Sequence, residues 1–323
     1  MSLVNSVLGR FPGLEVGIRR IYNRTKNSDN VQNCKLLKKA KRYLTSGYSK
    51  DTREKSWKDY SDYIRNLGIK NGDILIVHSS MDGLGKMNVG KEKIVSFLRE
   101  IVGPDGTLVM PAYPFYKKKD IKVEFNEAIE ETRTYKPRTT LSWTGILPNY
   151  LCSLDGSRRS LFPIDTLVAI GKESEEIIKD NLKGQISHGK FTAWDYCNHH
   201  HAKVLFLGIS PLDSISEIHL FEDLYHNEWP IKGWYKEQKF IIKTGTENID
   251  FVCKMRKRFW NQYITENYCM MQLIKNDVME FDHIDHIPIG FIEDLSKMTD
   301  FVADCVNEKK DLLFWRIPKK YWK

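Results

Sequence analysis

The sequence predicts an α/β fold with a central, mostly parallel sheet flanked by helices, closed as a single elaborated domain. Short apolar runs rich in β-branched residues, typical of strands buried on both faces, alternate with segments whose apolar residues recur at helical spacing. The 323 residues are 41% hydrophobic and 28% charged. This composition supports a sizeable core and excludes a disordered or collagen-like protein.

The predicted elements begin with a helix over residues 57–67, where apolar residues have helical spacing. Residues 73–78 form a short apolar run that predicts a strand ending at His78. Apolar residues within 94–101 then follow the helical period, and the Gly-Pro-Asp-Gly run at 103–106 stops that helix. A second strand resumes at 107–110, which completes a βαβ unit.

A third buried strand is predicted over residues 203–208, followed by a loop and a helix near 218–225. Ligands of parallel α/β sheets bind at the carboxyl ends of the strands. We therefore expect functional groups in the loops that follow 73–78 and 203–208.

Most of the net positive charge belongs to the N-terminus. The chain has 50 Lys and Arg against 42 Asp and Glu, but residues 1–50 contain 11 Lys and Arg and two acidic residues, so the remainder is nearly neutral. We predict a basic amphipathic arm over residues 1–51 and a compact domain over 52–323. The arm either docks on the body or contacts anionic lipid at the inner face of the plasma membrane.

A nucleic-acid enzyme would spread basic residues over its folded surface, so nucleic acid is not an expected partner. No apolar run is long enough for a spanning helix, and no signal peptide pattern is present. The six cysteines lack CxxC spacing, as in reducing compartments. We expect a cytoplasmic protein; the sequence does not predict its oligomeric state.

Three residues at the end of the first strand, His78, Ser79 and Ser80, form one candidate site. Their hydroxyl groups either cap the following backbone or, with free N–H groups, receive an anion such as a pyrophosphate. The loop has no Walker A or GxGxxG pattern.

His219 and Glu222 form the second candidate site, because residues three apart in a helix share a face. The pair is either structural or a base with its orienting carboxylate. The histidines at 199–201 and the Asp-His pairs at 282–286 have no spacing that closes a metal shell, so no metal is expected. No GxSxG elbow supplies a serine nucleophile.

Five stretches stand in a specific order and spacing: residues 72–80 (GDILIVHSS), 106–111 (GTLVMP), 144–148 (TGILP), 159–163 (RSLFP) and 204–222. Together they resemble the aminoglycoside 3-N-acetyltransferase family, which is distinct from the common GNAT acetyltransferases. The resemblance covers about residues 55–300 and leaves the arm outside it.

The resemblance implies acyl transfer from acetyl-coenzyme A, or another acyl-coenzyme A, to an amine. It places a set of residues near the coenzyme: His78, Ser79, Ser80, Thr144, Gly145, Arg159 and Ser160. The family's T-x-x-H-x-x-E motif falls on Ser216, His219 and Glu222. His219 is then the general base, and Glu222 orients its ring and stabilises the imidazolium.

Ser216 keeps the hydroxyl of the family's threonine, whereas two other departures change the side-chain chemistry: Phe162 replaces a histidine and Asn149 replaces a glutamate. A neutral body and a neutral residue 149 argue against a polycationic acceptor. The expected acceptor is therefore an amino sugar of a bacterial surface polysaccharide such as O-antigen, carried on a nucleotide or a lipid. An aminoglycoside acceptor and a noncatalytic scaffold are the alternatives. Direct attack is preferred to an acyl-enzyme on Cys152 or Cys197, because neither thiol is clearly poised.

Overall fold

A seven-stranded mixed sheet lies at the centre of the computed structural model, which describes residues 3–25, 56–116 and 131–323. The strands are β1 (Ile74–Ser79), β2 (Thr107–Pro111), β3 (Arg133–Tyr135), β4 (Arg158–Arg159), β5 (Leu167–Gly171), β6 (Lys203–Leu207), β7 (Tyr235–Lys243), β8 (Asn248–Arg256), β9 (Glu280–Ile284) and β10 (Ile287–Ile292). The helices are α1 (Leu3–Arg10), α2 (Pro12–Thr25), α3 (Trp57–Arg65), α4 (Met81–Leu84), α5 (Lys91–Val102), α6 (Ile146–Ser153), α7 (Ser174–Lys179), α8 (Ala193–His199), α9 (Leu220–Leu224), α10 (Glu266–Lys275) and α11 (Leu295–Asn307).

The central sheet has the strand order β4-β5-β2-β1-β6-β10-β9. The α/β class is confirmed, but within this sheet only β1, β2 and β6 pair in parallel. The outer pairs are antiparallel, so the prediction of a mostly parallel sheet holds for its centre alone.

Asp285 and His286, with φ of 49° and 65°, join β9 to β10 in a two-residue turn. Positive φ at both turn residues is the type I′ geometry that suits a hairpin.

Strand β1 shows why the central runs are continuously apolar. Successive side chains of a strand point to opposite faces of the sheet. Ile74 and Ile76 enter one core, whereas Leu75 and Val77 enter the core on the other face. Because helices and the C-terminal region cover both faces, polar alternation is absent from this strand.

The predicted βαβ unit is confirmed. Helix α5 connects β1 to β2 and buries Ile94 and Leu98. It ends at Gly103, where φ is 69° and a Cβ atom would lie 2.2 Å from Asn71 Oδ1. Glycine is therefore required at this stop.

A second, three-stranded sheet has the order β3-β7-β8 and joins β3, from the first half of the chain, to the β7–β8 hairpin of the second half. The C-terminal region also supplies three buried tryptophans, Trp234, Trp260 and Trp315, to the larger core. Strand β8 ends at Arg256, and this strand end brings a cation to the site described below.

The described part of the N-terminal arm forms two helices, α1 and α2, and Pro12 begins the second of them. Both helices pack against α10. An outward row of Val4, Val7, Phe11 and Leu14 stays exposed. The arm therefore docks on the body, while membrane contact through its outer face stays a prediction.

The predicted boundary at residues 51 and 52 and the basic cluster at 35–42 lie outside the described residues. Within the ranges that the structure describes, no helix is both long and apolar enough to cross a bilayer.

Candidate active site

A cavity of about 530 Å³ opens beside the carboxyl ends of β1, β2 and β6. The chain that leaves β1 continues to β2 on one side, whereas the chain that leaves β6 continues to β9 and β10 on the other side of the sheet. Ligands of open α/β sheets bind at such a reversal of strand order. The location predicted from the sequence is thus the location of this cavity.

The cavity brings together six of the nine predicted site residues: His78, Ser79, Ser80, Thr144, Gly145 and His219. C-terminal residues close its other side, among them Ile264, Glu266 and Phe314.

His219 and Glu222 form the expected pair. His219 ends a short 3-10 turn, Glu217–His219, that leads directly into α9. The His219 Nδ1 atom lies 3.0 Å from Glu222 Oε1. With a proton on Nδ1 donated to this carboxylate, the Nε2 lone pair is the ring position free to accept a proton at the cavity.

Two residues that the sequence did not predict hold this pair. Arg256 Nη1 donates to Glu222 Oε1 at 2.9 Å and lies 3.0 Å from His219 Nδ1. Trp315 Nε1 donates to Glu222 Oε2 at 2.7 Å. Glu222 is 2% exposed and does not line the cavity, so its role is to hold the His219 ring from behind.

The surroundings set the protonation of the pair. Burial lowers the pKa of His219 well below its usual 6.5, and the Arg256 cation and His188 lower it further. Burial raises the pKa of Glu222, while Arg256 and the Trp315 hydrogen bond oppose the rise. His219 is therefore neutral, and able to accept a proton, at neutral pH.

A second histidine and carboxylate pair lies at the same cavity. His78 Nε2 lies 2.6 Å from Glu217 Oε1, and both side chains are buried. The His78 ring stacks on Phe206 with centroids 5.0 Å apart. No spacing rule points to Glu217 because its partner lies 139 residues away in the sequence.

The segment 142–149 shapes one wall of the cavity. Thr144 Oγ1 donates to the Pro111 carbonyl at 2.6 Å. Gly145 has a φ of 128°, which favours glycine, and it precedes α6. The Asn149 amide donates to the carbonyls of Ser142 and Gly145, and its oxygen accepts from Ser142 N. Asn149 therefore fixes the conformation of the loop. Its neutral side chain does not determine the charge of the cavity.

Arg159 and Ser160 do not line this cavity, and their place beside the coenzyme stays a prediction. Arg159 donates to the carbonyls of Ala112, Pro137 and Thr140 and so ties three backbone segments together. Ser160 is buried, and its hydroxyl donates to Asn181 Oδ1. The hydrogen-bond donors of both side chains are therefore engaged with other groups of the protein.

Phe162, the other departure from the family pattern, is 2% exposed in a small core with Tyr135, Phe240 and Cys253. The residue fills apolar space away from the cavity. Among the described residues, no group of histidine, cysteine and carboxylate side chains is arranged to hold a metal ion. His199, His200 and His201 are exposed.

Comparison with known proteins agrees with this architecture. The family model described as aminoglycoside 3-N-acetyltransferase matches residues 76–286. Aminoglycoside N(3)-acetyltransferase III of Acinetobacter baumannii is 30% identical over 183 residues, which are 53% of this chain and 63% of that protein. Aminoglycoside N(3)-acetyltransferase IX of Micromonospora chalcea is 30% identical over 168 residues, 50% of this chain and 59% of that protein. The chain thus spans about three fifths of the length of these relatives.

Solved structures share the fold. The AAC-IIIb complex with CoASH has a TM-score of 0.64 at 20% identity and covers 81% of this chain and 98% of that one. AAC-VIa bound to sisomicin has a TM-score of 0.63 at 14% identity and covers 80% of this chain and 99% of that one. By the family match over residues 76–286, this chain belongs to the aminoglycoside 3-N-acetyltransferase family.

Proposed function

We propose that this chain transfers an acetyl group from acetyl-coenzyme A to an amino group of an aminoglycoside. The observation that carries the proposal is the neutral, carboxylate-backed His219 at a cavity with acidic walls. An intact base and its carboxylate favour an enzyme over a noncatalytic scaffold. The relatives named above carry this activity in their names.

The charge of the cavity supports a cationic acceptor. Asp82, Asp213 and Glu266 line it, and no lysine or arginine of the described residues does. Burial raises the pKa of Asp213 to about 6. The sequence argument against a polycationic acceptor used the average charge of the body, whereas the local charge around the cavity determines which acceptor is attracted.

The same charges give no support to a nucleotide- or lipid-linked amino sugar. Asp213 and Glu266 line the side of the cavity away from the β1 loop, and carboxylates there would repel a second diphosphate beside the acceptor amine. The names of the relatives given above specify aminoglycosides as the acceptors. The surface-polysaccharide acceptor is therefore replaced here by the aminoglycoside that stood as its alternative.

The reaction follows from the geometry of His219. The acceptor nitrogen attacks the thioester carbonyl carbon, and His219 Nε2 takes the proton that this nitrogen loses. Glu222, which is hydrogen-bonded to the ring, stabilises the resulting imidazolium. The carbon–sulfur bond then breaks, and the proton passes from the imidazolium to the departing thiolate or to water. No described cysteine lines the cavity, which supports direct transfer over an acyl-enzyme on Cys152 or Cys197.

The loop from β1 is suited to the coenzyme side of the cavity. Ser80 caps α4, its hydroxyl accepting from Asp82 N at 3.3 Å. We expect Ser80→Asp to raise the KM for acetyl-coenzyme A about tenfold, since the new carboxylate repels the coenzyme phosphates. Steady-state kinetics with each substrate varied in turn measures the effect.

Ser80→Asn is the matched control, because asparagine and aspartate both cap helices well and differ in charge. It should leave the KM for acetyl-coenzyme A near the wild-type value. An equal rise for both variants, or an equal rise in the KM of the amine, would show that the loop is structural.

The acceptor is tested by comparing initial rates with sisomicin, glucosamine and a nucleotide-linked amino sugar. We expect the highest kcat/KM for sisomicin, since several ammonium groups meet the acidic walls. A higher kcat/KM for the nucleotide-linked amino sugar would reverse the assignment of the acceptor.

A further inference from the structure

Glu266 connects the cavity to the N-terminal arm. It begins α10 and lines the cavity beside Ile264 and Phe314. Its carboxylate forms an ion pair with Arg19 of α2, 247 residues away in the sequence. Arg19 lies outside the 76–286 segment that matches the family. The arm therefore reaches a wall of the cavity.

Glu15 fixes Arg19 in this place. Its side chain is 1% exposed, and its Oε1 atom accepts from Arg19 Nη2 at 3.1 Å. The same carboxylate accepts from the backbone N–H groups of Glu266, at 3.1 Å, and Asn267, at 3.3 Å. A carboxylate at a helix N-terminus satisfies free N–H groups and complements the helix dipole. Glu15 thus caps α10 from another helix.

The residue that precedes α10 does not cap this helix, so the capping position is open to Glu15. Thr265 makes no cap with its own side chain, because its hydroxyl donates to the Leu313 carbonyl. The arm also packs closely beside the cap: a Cβ atom on Gly9 would lie 2.8 Å from Met271 Sδ. The inner face of the arm is therefore built to hold the start of α10, where Glu266 lies.

We propose, resting on the proposed function, that Arg19 is a positioning residue of the acceptor site: it holds the Glu266 carboxylate at the cavity wall, where Glu266 binds an ammonium group of the acceptor. Burial raises the pKa of Glu266 to about 7, Arg19 opposes the rise, and the Glu15 and Asp213 carboxylates add to it. Without Arg19, a larger fraction of Glu266 is protonated and neutral near pH 7.

Arg19→Gln tests the positioning role, and Arg10→Gln is its control, because Arg10 is an exposed cation of the same arm. We expect Arg19→Gln to raise the KM for sisomicin about tenfold with the KM for acetyl-coenzyme A unchanged, as for the loss of a charged hydrogen-bond partner. Arg10→Gln should change neither constant. Arg19→Lys, which keeps the charge, should restore most of the sisomicin affinity.

Glu266→Gln should raise the same KM by about tenfold or more, and adding Arg19→Gln to it should have little further effect, because the two residues act through one contact. Urea unfolding checks that each variant is folded. A rise of both substrate constants together in Arg19→Gln, or an unchanged KM for sisomicin, would overturn the positioning role.

A titration without substrate separates this inference from the proposed function. The carbon-13 resonance of the Glu266 carboxyl group should titrate at higher pH in Arg19→Gln than in wild type and Arg10→Gln. An unchanged titration overturns the inference, whichever amine the enzyme accepts. Failure of the wild-type chain to acetylate any amine would instead count against the proposed function, and a shifted titration would still support control of Glu266 by the arm.

Discussion

His219→Ala is expected to lower turnover by about 100-fold or more, because general-base catalysis contributes 10²- to 10⁴-fold. The substitution removes the ring nitrogen that accepts the proton from the attacking amine. It leaves the walls that meet the coenzyme in place, so the affinity for coenzyme A should stay near that of wild type. Single-turnover rates and calorimetric binding of coenzyme A measure the two effects separately.

His199→Ala is the matched control, since His199 is exposed on α8 and does not line the cavity. It should keep wild-type turnover. A His219→Ala variant with near wild-type turnover, and with the fold preserved by circular dichroism, would remove His219 from the role of base.

Glu222→Gln is expected to lower turnover by about 10- to 100-fold, less than the loss of the base itself. The amide can still hold hydrogen bonds with Trp315 and the ring, but it carries no charge to stabilise the imidazolium. Glu228→Gln is the control, because Glu228 carries the same carboxylate at an exposed position. Stopped-flow measurement of thiol release compares the three enzymes.

The pH profile of Glu222→Gln gives a second readout. His219 loses its function when it gains a proton, so kcat/KM falls as pH drops through its folded-state pKa, which burial holds well below 6.5. Removing Glu222 leaves the Arg256 cation unopposed, and this disfavours the imidazolium further. The acid limb should therefore move to lower pH. An acid limb moved to higher pH, or an unchanged profile with full turnover, contradicts the pairing.

The elements predicted from the sequence are those with strong local signals. The run 73–78, the helical period within 94–101 and the glycine stop at 103 each determine local structure, and the structure contains β1, α5 and Gly103 in these places. The outer strands carry no comparable signal. Strand β9 alternates exposed and half-buried residues at the sheet edge, and its antiparallel pairing depends on a two-residue turn.

The candidate site was predictable where its residues are close in sequence. His219 and Glu222 stand on one turn, and His78 to Ser80 follow one strand. Arg256 and Trp315 reach Glu222 from strand β8 and from the C-terminal segment, so only the tertiary fold brings them together. The structural contacts of Arg159 could not be predicted for the same reason, because its carbonyl partners lie 19 to 47 residues away.

The most direct test of the account is the mass of sisomicin after incubation with this chain and acetyl-coenzyme A, measured together with the thiol released. We expect one acetyl group gained for each thiol released in the wild-type reaction, and almost none of either with His219→Ala. The account would be contradicted if thiol were released no faster than in buffer without enzyme and sisomicin stayed unmodified. This result counts under conditions where the chain is folded and binds coenzyme A.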